Sequence, residues 1–175
     1  NVYLTTADIA IAKKIAKTVR FSSGGLRFVK AMGVLVDGLA QVSMNLTNFN
    51  ETSIHQVLDM IHTEAEVYGT KVHHSELVGL IPEGDLLAAG KYYLRKANQS
   101  AGIPKKMILE TAIQSMGLRE ITDFDPANRI IEYQAGLVDG PLVSMTNREF
   151  ADVLSSDSPA PGGGSVAALS AAQSA

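Results

Sequence analysis

The run Asp37-Gly38-Leu39-Ala40-Gln41-Val42-Ser43-Met44-Asn45-Leu46-Thr47 constrains this chain more than any other. An Asp-Gly pair between two extended segments predicts a two-residue type I′ hairpin turn, because that turn needs positive φ at both central positions and glycine accepts it freely. After the turn, Ala40, Val42, Met44 and Leu46 alternate with Gln41, Ser43, Asn45 and Thr47. Side chains of a strand point to opposite faces in turn. One face is therefore predicted to pack on helices and the other to stay polar. The strand entering the turn is read over Leu26 to Val36.

The flanking segments complete a pattern. Asn1 to Leu4 reads as a strand. Thr5-Thr6-Ala7-Asp8 reads as a helix start, with Thr5 or Thr6 as the cap and Asp8 suited to the positive end of the macrodipole. Ala12, Ile15, Ala16 and Val19 then recur at helical spacing, with Lys13, Lys14 and Lys17 outside. Ser22 to Gly25 ends this helix. Asn48 to Thr52 makes a turn and cap, and Ile54, Val57, Leu58, Ile61 and Ala65 mark a second amphipathic helix that ends at Gly69. Lys71 to Leu80 reads as a fourth strand, closed by Ile81-Pro82. The order strand, helix, strand, strand, helix, strand is the split βαβ plan of a ferredoxin-like α+β sandwich. An antiparallel sheet of this plan carries both helices on one face and leaves the other free for a ligand or a second sheet.

Further helices are predicted near Asp85–Lys96 and Lys106–Gly117, with a turn at Asp123–Pro126 and a short strand or extended segment over Arg129–Tyr133. After about Gln134 the composition shifts. Residues 1–134 are expected to form one domain, 135–147 a linker, and 148–175 the start of an all-α domain. A short helix is predicted from Thr146-Asn147 to Leu154, followed by a linker-like Ser155–Gly164. The small residues from Ser165 to Ala172 fit either the first helix of a second domain or a flexible Gly/Ala linker. The chain opens at Asn1 without a Met, inside an apparent strand, and stops at Ala175 inside a helical pattern, so it is expected to be a piece of a longer protein.

Composition narrows the class. The 175 residues carry a net charge of −3 and 46% apolar residues, enough for a core and unlike a general nucleic-acid binder. No cysteine is present, which excludes disulfides and thiolate metal sites and fits a reducing, cytoplasmic setting. No apolar run is long enough for a membrane-spanning helix.

Three groups of residues could carry chemistry. His55, Asp59 and His62 share one helix face, a spacing that could hold a metal, although a solvated polar face explains it as well and no metal is expected. His73 and His74 are neighbours in a strand and should face opposite sides. The stretch Gly24-Gly25-Leu26-Arg27-Phe28-Val29-Lys30-Ala31-Met32-Gly33 joins glycines to two cations. Gly25 and Gly33 would let a flat ligand or another backbone approach, and Arg27 and Lys30 could hold carboxylates. Beside this stretch on the sheet, Gln41, Ser43 and Asn45 are the candidate substrate-facing side chains, although a solvated sheet face explains them as well.

Taken together, these segments resemble the formiminotransferase-cyclodeaminase family. The resemblance rests on Gly25–Gly33, Leu39–Leu46, Ser75-Glu76-Leu77-Val78-Gly79-Leu80-Ile81-Pro82, Arg129–Tyr133, and most specifically Ser158-Pro159-Ala160-Pro161-Gly162-Gly163-Gly164-Ser165-Val166-Ala167-Ala168. It implies a transferase half built from two ferredoxin-like subdomains with tetrahydrofolate as co-substrate between them. That half moves a formimino group from N-formimino-glutamate, a step of histidine degradation. A cyclodeaminase half, a lyase, then forms the methenyl folate and releases ammonia. On this resemblance the chain is the second transferase subdomain plus the cyclodeaminase start. The N-terminal subdomain, with the family's catalytic histidine, is expected to be a missing partner, so none of His55, His62, His73 or His74 takes that role. Gly24 to Gly33 would line the folate site. Gly162, Gly163, Gly164 and Ser165 would form a tight turn at the cyclodeaminase start. The family usually has two lysines at Arg27 and Phe28 and Gln-Gly at Lys30 and Ala31, which leaves the polyglutamate preference open. An assembly of identical chains is expected, with the bare sheet face and the small-residue helix as interfaces. The alternative is a non-catalytic ferredoxin-like module that binds a ligand or a partner, since fold alone does not dictate function.

Overall fold

A computed structural model describes residues 1–136, 140–142 and 144–174. The chain divides into two units, Asn1–Ile131 and Glu132–Ala175. In the first, β1 (Val2–Leu4), α1 (Ile9–Val19), β2 (Val29–Val36), β3 (Leu39–Leu46), α2 (Ile54–Val67) and β4 (Val72–Ser75) follow in that order. The four strands form one antiparallel sheet in the order β2-β3-β1-β4. This is the ferredoxin-like arrangement.

The hairpin forms as its sequence dictates. Asp37 and Gly38 both take positive φ, 50° and 81°, and β2 pairs with β3 without interruption from Val29↔Leu46 to Val36↔Leu39. Val2, Leu4, Val29, Ala40 and Val42 are buried together with Ala12, Ile15, Ala16 and Val19 of α1 and Val57, Leu58, Ile61 and Ala65 of α2. At about 25 cal/mol per Å² of apolar surface removed from water, this layer supplies the main driving force of the unit. Register places Tyr3, Lys30, Met32, Val34, Gln41, Ser43, Asn45 and His74 on the opposite, open face.

Two glycines set the approach of α1. A Cβ on Gly33 would lie 2.3 Å from the Lys13 backbone nitrogen, and one on Gly25 would lie 2.3 Å from the Thr18 carbonyl oxygen. Of the two roles open to these glycines, close approach of another backbone is the one the fold uses. Beyond the sheet, α3 (Glu83–Lys96) and α4 (Lys105–Ser115) pack as a pair, with Gly90 against the Ile108 carbonyl. Short α5 (Pro126–Arg129) and α6 (Ile131–Gln134) follow. In the second unit, α7 (Asn147–Leu154) opens with a capping box in which Thr146 and Glu149 exchange hydrogen bonds. Glu149 is held below its usual carboxylate range by the backbone N–H of Thr146. Helix α8 spans Gly163–Ser174.

Several boundaries differ from the sequence reading. Asp8, not Thr5 or Thr6, caps α1, accepting from Ala10 N at 2.8 Å. Thr5 instead shares a hydrogen bond with Thr70 at 3.1 Å. Strand β2 starts at Val29, because Leu26 closes an isolated bridge to Arg20 and Phe28 takes φ 61°. Strand β4 stops at Ser75 rather than Leu80; beyond it Glu76 exchanges hydrogen bonds with Asn1 at 2.9 and 3.0 Å, and Ile81 bridges to Ile130. Arg129–Tyr133 is therefore not a strand but the junction of two helical turns around that bridge. Helix α8 begins at Gly163, so two of the expected linker glycines belong to its first turn. Of the connection expected over 135–147, residues 137–139 and 143 lie outside the described residues.

Gly33→Ala is expected to lower the unfolding free energy by about 2 kcal/mol, since backbone and not a pliable side chain must yield. Urea denaturation followed by circular dichroism measures this.

Candidate functional site

The open face is polar at its centre. Tyr3 pairs across β1 with Gln41 on one side and His74 on the other. Its ring stacks on His74 at 4.2 Å between centroids, and its hydroxyl donates to Glu76 Oε2 at 3.1 Å. Burial and the Glu76 carboxylate push the Tyr3 phenol above its usual range. Burial and then the neighbouring His73 hold the His74 imidazole below its ordinary value, which favours the neutral ring.

Gln41 departs from its expected place in a solvated face. It is 3% exposed, with Tyr3 and Val34 as its cross-strand partners. Ser43 is half-buried and Asn45 is exposed, opposite Met32 and Lys30 respectively. Met32 is 58% exposed, an apolar surface amid polar groups.

The candidate stretch Gly24–Gly33 is thus divided by the fold. Lys30 and Met32 share the open face with Ser43 and Asn45. Val29 is buried, and Gly25 and Gly33 lie against α1. Ala31 shares the helix-side register of Val29 and Gly33. Gly24 takes φ 92° to end the 3₁₀ turn over Phe21–Ser23. Arg27 is exposed beside the start of β2, its guanidinium 5.2 Å from the Phe28 ring centre, while its carbonyl accepts from the Thr52 hydroxyl at 2.6 Å.

His73 and His74 do not diverge. Their Nδ1 atoms are 2.7 Å apart, one donating and the other accepting. The register of β4 against β1 slips between Tyr3 and Leu4, leaving His73 as the extra residue of a bulge, so simple alternation fails there. On α2 the trio His55, Asp59 and His62 does not converge on a common point. Asp59 accepts from the Tyr92 hydroxyl and, with both oxygens at 3.1 Å, from Lys96 Nζ. His55 stacks on Tyr92 at 4.4 Å. Among the described residues no cluster of His, Asp and Glu could hold a metal ion.

The remaining feature is a cavity of about 490 Å³ at the end of the sheet where β3 and β4 finish and β1 begins. Asp85, in the first turn of α3, lies in its wall at 4% exposure. Its Oδ1 accepts from Ile54 N, the first residue of α2, at 3.4 Å. Burial raises its carboxyl to about 6, with the Ile54 N–H acting the other way. The sequence reading did not single out Asp85. An acid three residues past a helix-starting proline reads as ordinary macrodipole chemistry, and only the fold shows it enclosed.

Residues 1–136 match the family described as Formiminotransferase domain, and residues 146–175 match Formiminotransferase-cyclodeaminase. The chain belongs to the formiminotransferase family. It is 42% identical over 175 residues to the formimidoyltransferase-cyclodeaminase of Dictyostelium discoideum, which covers 94% of this chain and 32% of that relative. The glutamate formimidoyltransferase of Thermoplasma acidophilum is 40% identical over 116 residues, 65% of this chain and 37% of the relative. That of Streptococcus pyogenes is 44% identical over 97 residues, 54% and 32% respectively. The chain thus spans about a third of the length of these curated relatives. Among the described residues, the open face and the cavity are surfaces with chemistry to offer. At the other family match, Gly162 accepts from Ser165 N at 2.9 Å and Val166 N at 3.1 Å, and Gly163 and Gly164 stand in open space.

A raised carboxyl pKa has a defined thermal consequence. The folded state binds the Asp85 proton more tightly than the unfolded state, so ionisation costs stability as pH rises from about 4 to 6, and the full cost is present above that. Asp85→Asn keeps an acceptor for Ile54 N without the charge. It should raise Tm by several degrees at pH 8 and lose that advantage below pH 4, as read by differential scanning calorimetry.

Proposed function

We propose that this chain is the second subdomain of a glutamate formimidoyltransferase, joined to the start of a cyclodeaminase domain. Its parent transfers a formimino group from N-formimino-L-glutamate to tetrahydrofolate and then cyclises 5-formiminotetrahydrofolate to the 5,10-methenyl form with release of ammonia. In the transfer, N5 of the folate attacks the formimino carbon, and the glutamate nitrogen leaves with a proton. The observation that carries this reading is the succession of two family matches in one chain, 1–136 then 146–175. We take 1–134 as the transferase subdomain, 135–147 as the linker and 148–175 as the beginning of the cyclodeaminase, with Gly162–Ser165 at its entry.

The chain supplies binding surface and no catalytic residue. On the open face, Ser43 and Asn45 offer hydrogen-bonding groups, Met32 an apolar seat, and Lys30 a cation for a carboxylate. Within the Gly24–Gly33 stretch, Arg27, Lys30 and Met32 are the ligand-facing side chains. The rest of the stretch holds them in place through the packing of Gly25, Val29 and Gly33. An N-terminal subdomain closes the cleft from the other side, and the parent works as a cytoplasmic homo-oligomer that uses folate and no metal.

Calorimetric titration of the chain with tetrahydrofolate tests the assignment. Arg27→Ala and Lys30→Ala should each weaken binding roughly threefold, the scale of one exposed charge pair. Unchanged affinity in both variants contradicts it.

A further inference from the structure

The cavity beside Asp85 has the makings of a second binding site. It lies at the end of the sheet, lined by Val2, Met44 and Leu46 from the helix-side register, by Ser43 and Asn45 from the other, and by Ile54 and Leu58 of α2. Its volume of about 490 Å³ falls within the range of small-molecule pockets. The walls are mostly apolar, and among them stand two acids, Asp85 and Glu76, and the Asn1 amino group.

Three observations bear on what such a space would hold. First, Asp85 is enclosed, and among the described contacts its only hydrogen bond is the long one from Ile54 N at 3.4 Å. No described Lys, Arg or His side chain lines the cavity. A buried carboxylate with no cation beside it lacks the partner that ordinarily offsets its desolvation. Second, the other acid in the wall, Glu76, is already engaged. Its carboxylate accepts from the Tyr3 hydroxyl, and its carbonyl accepts from the Asn1 amino group at 3.0 Å. Third, the Phe49 ring passes close to the first turn of α3, with Cε2 3.9 Å from where a Gly84 Cβ would stand. Phe49 also lines the cavity, so an aromatic wall stands near the carboxylate. Aromatic face, apolar wall and one buried anion form the combination that selects organic cations.

We propose that this cavity binds a small organic monocation with a flat apolar body, its charged nitrogen group on the Asp85 carboxylate and its body against Phe49 and Leu58. The cavity shares Ser43 and Asn45 with the open face, but the recognition proposed here uses Asp85, Phe49 and Leu58 and does not depend on the reading of that face as a folate surface.

Benzamidine, a flat amidinium, and benzamide, its neutral counterpart of nearly equal shape, are the probes. Titration of the 175-residue chain, followed by amide chemical shifts, should show benzamidine binding with a Kd on the order of 1 mM or tighter, and benzamide about tenfold weaker or more, the worth of one charged hydrogen bond. Asp85→Asn should erase the preference while leaving both compounds with the weak affinity of benzamide. Leu58→Phe, which fills the cavity and keeps the acid, should weaken both. Equal affinity of the two probes for the unaltered chain overturns the proposal, and so does a preference for benzamidine that survives Asp85→Asn. Shifts that map away from Phe49, Leu58 and Asp85 overturn it as well.

Discussion

Helix α1 lies with its backbone directly on β2 at Gly33, and the two-faced character of the sheet depends on that contact. There is no room for even a methyl group between Gly33 and the peptide of Lys13. A second such contact, Gly25 against the last turn of α1, holds the chain as it leaves the helix. With α1 seated at this depth, Val29, Ala40 and Val42 close over Ala12, Ile15 and Ala16. Each residue of β2 and β3 is then committed to one side. Lys30, Met32, Ser43 and Asn45 stand on the open face because their neighbours in sequence are held on the other.

The hairpin shows how much of this was legible beforehand. Asp37-Gly38 and the alternation after it specify turn, register and faces, since turn chemistry and period two agree. The amphipathic repeats of α1 and α2 identify the buried helix residues, with Ile54, half-buried in the first turn of α2, the one exception among those in the repeats. Where tertiary contacts decide, local reading fails. Gln41 belongs by alternation to a polar face, yet it is buried, with Tyr3 and Val34 as its cross-strand partners. His73 and His74 should diverge, yet a bulge brings their Nδ1 atoms together. The glycines of the candidate stretch read equally well as ligand space or packing space, and only the position of α1 distinguishes the two. The proposed site was legible as a segment and not as a surface. The segment holds ten consecutive residues, whereas the fold turns two of them, Lys30 and Met32, onto the open face.

Asp85 illustrates the opposite case, a group whose significance comes wholly from enclosure. Its carboxylate stands at the start of α3 and reaches the first N–H of α2, so two helix termini face one charge. That arrangement tolerates the anion without neutralising it, as the carboxyl raised to about 6 records. The unit therefore carries polar chemistry in two places: on a broad exposed face of its sheet, and at a buried acid, Asp85, in the mostly apolar cavity at the sheet's end.

On the proposed function, the open face, and not the helix layer, meets the folate. Backbone amide shifts of the chain, followed as tetrahydrofolate is added, test it most directly. The largest changes should fall on Lys30, Met32, Ser43 and Asn45, with lesser changes at Tyr3 and Gln41 beside them. Changes confined to α2, α3 and α4, with the strands unmoved, would contradict it.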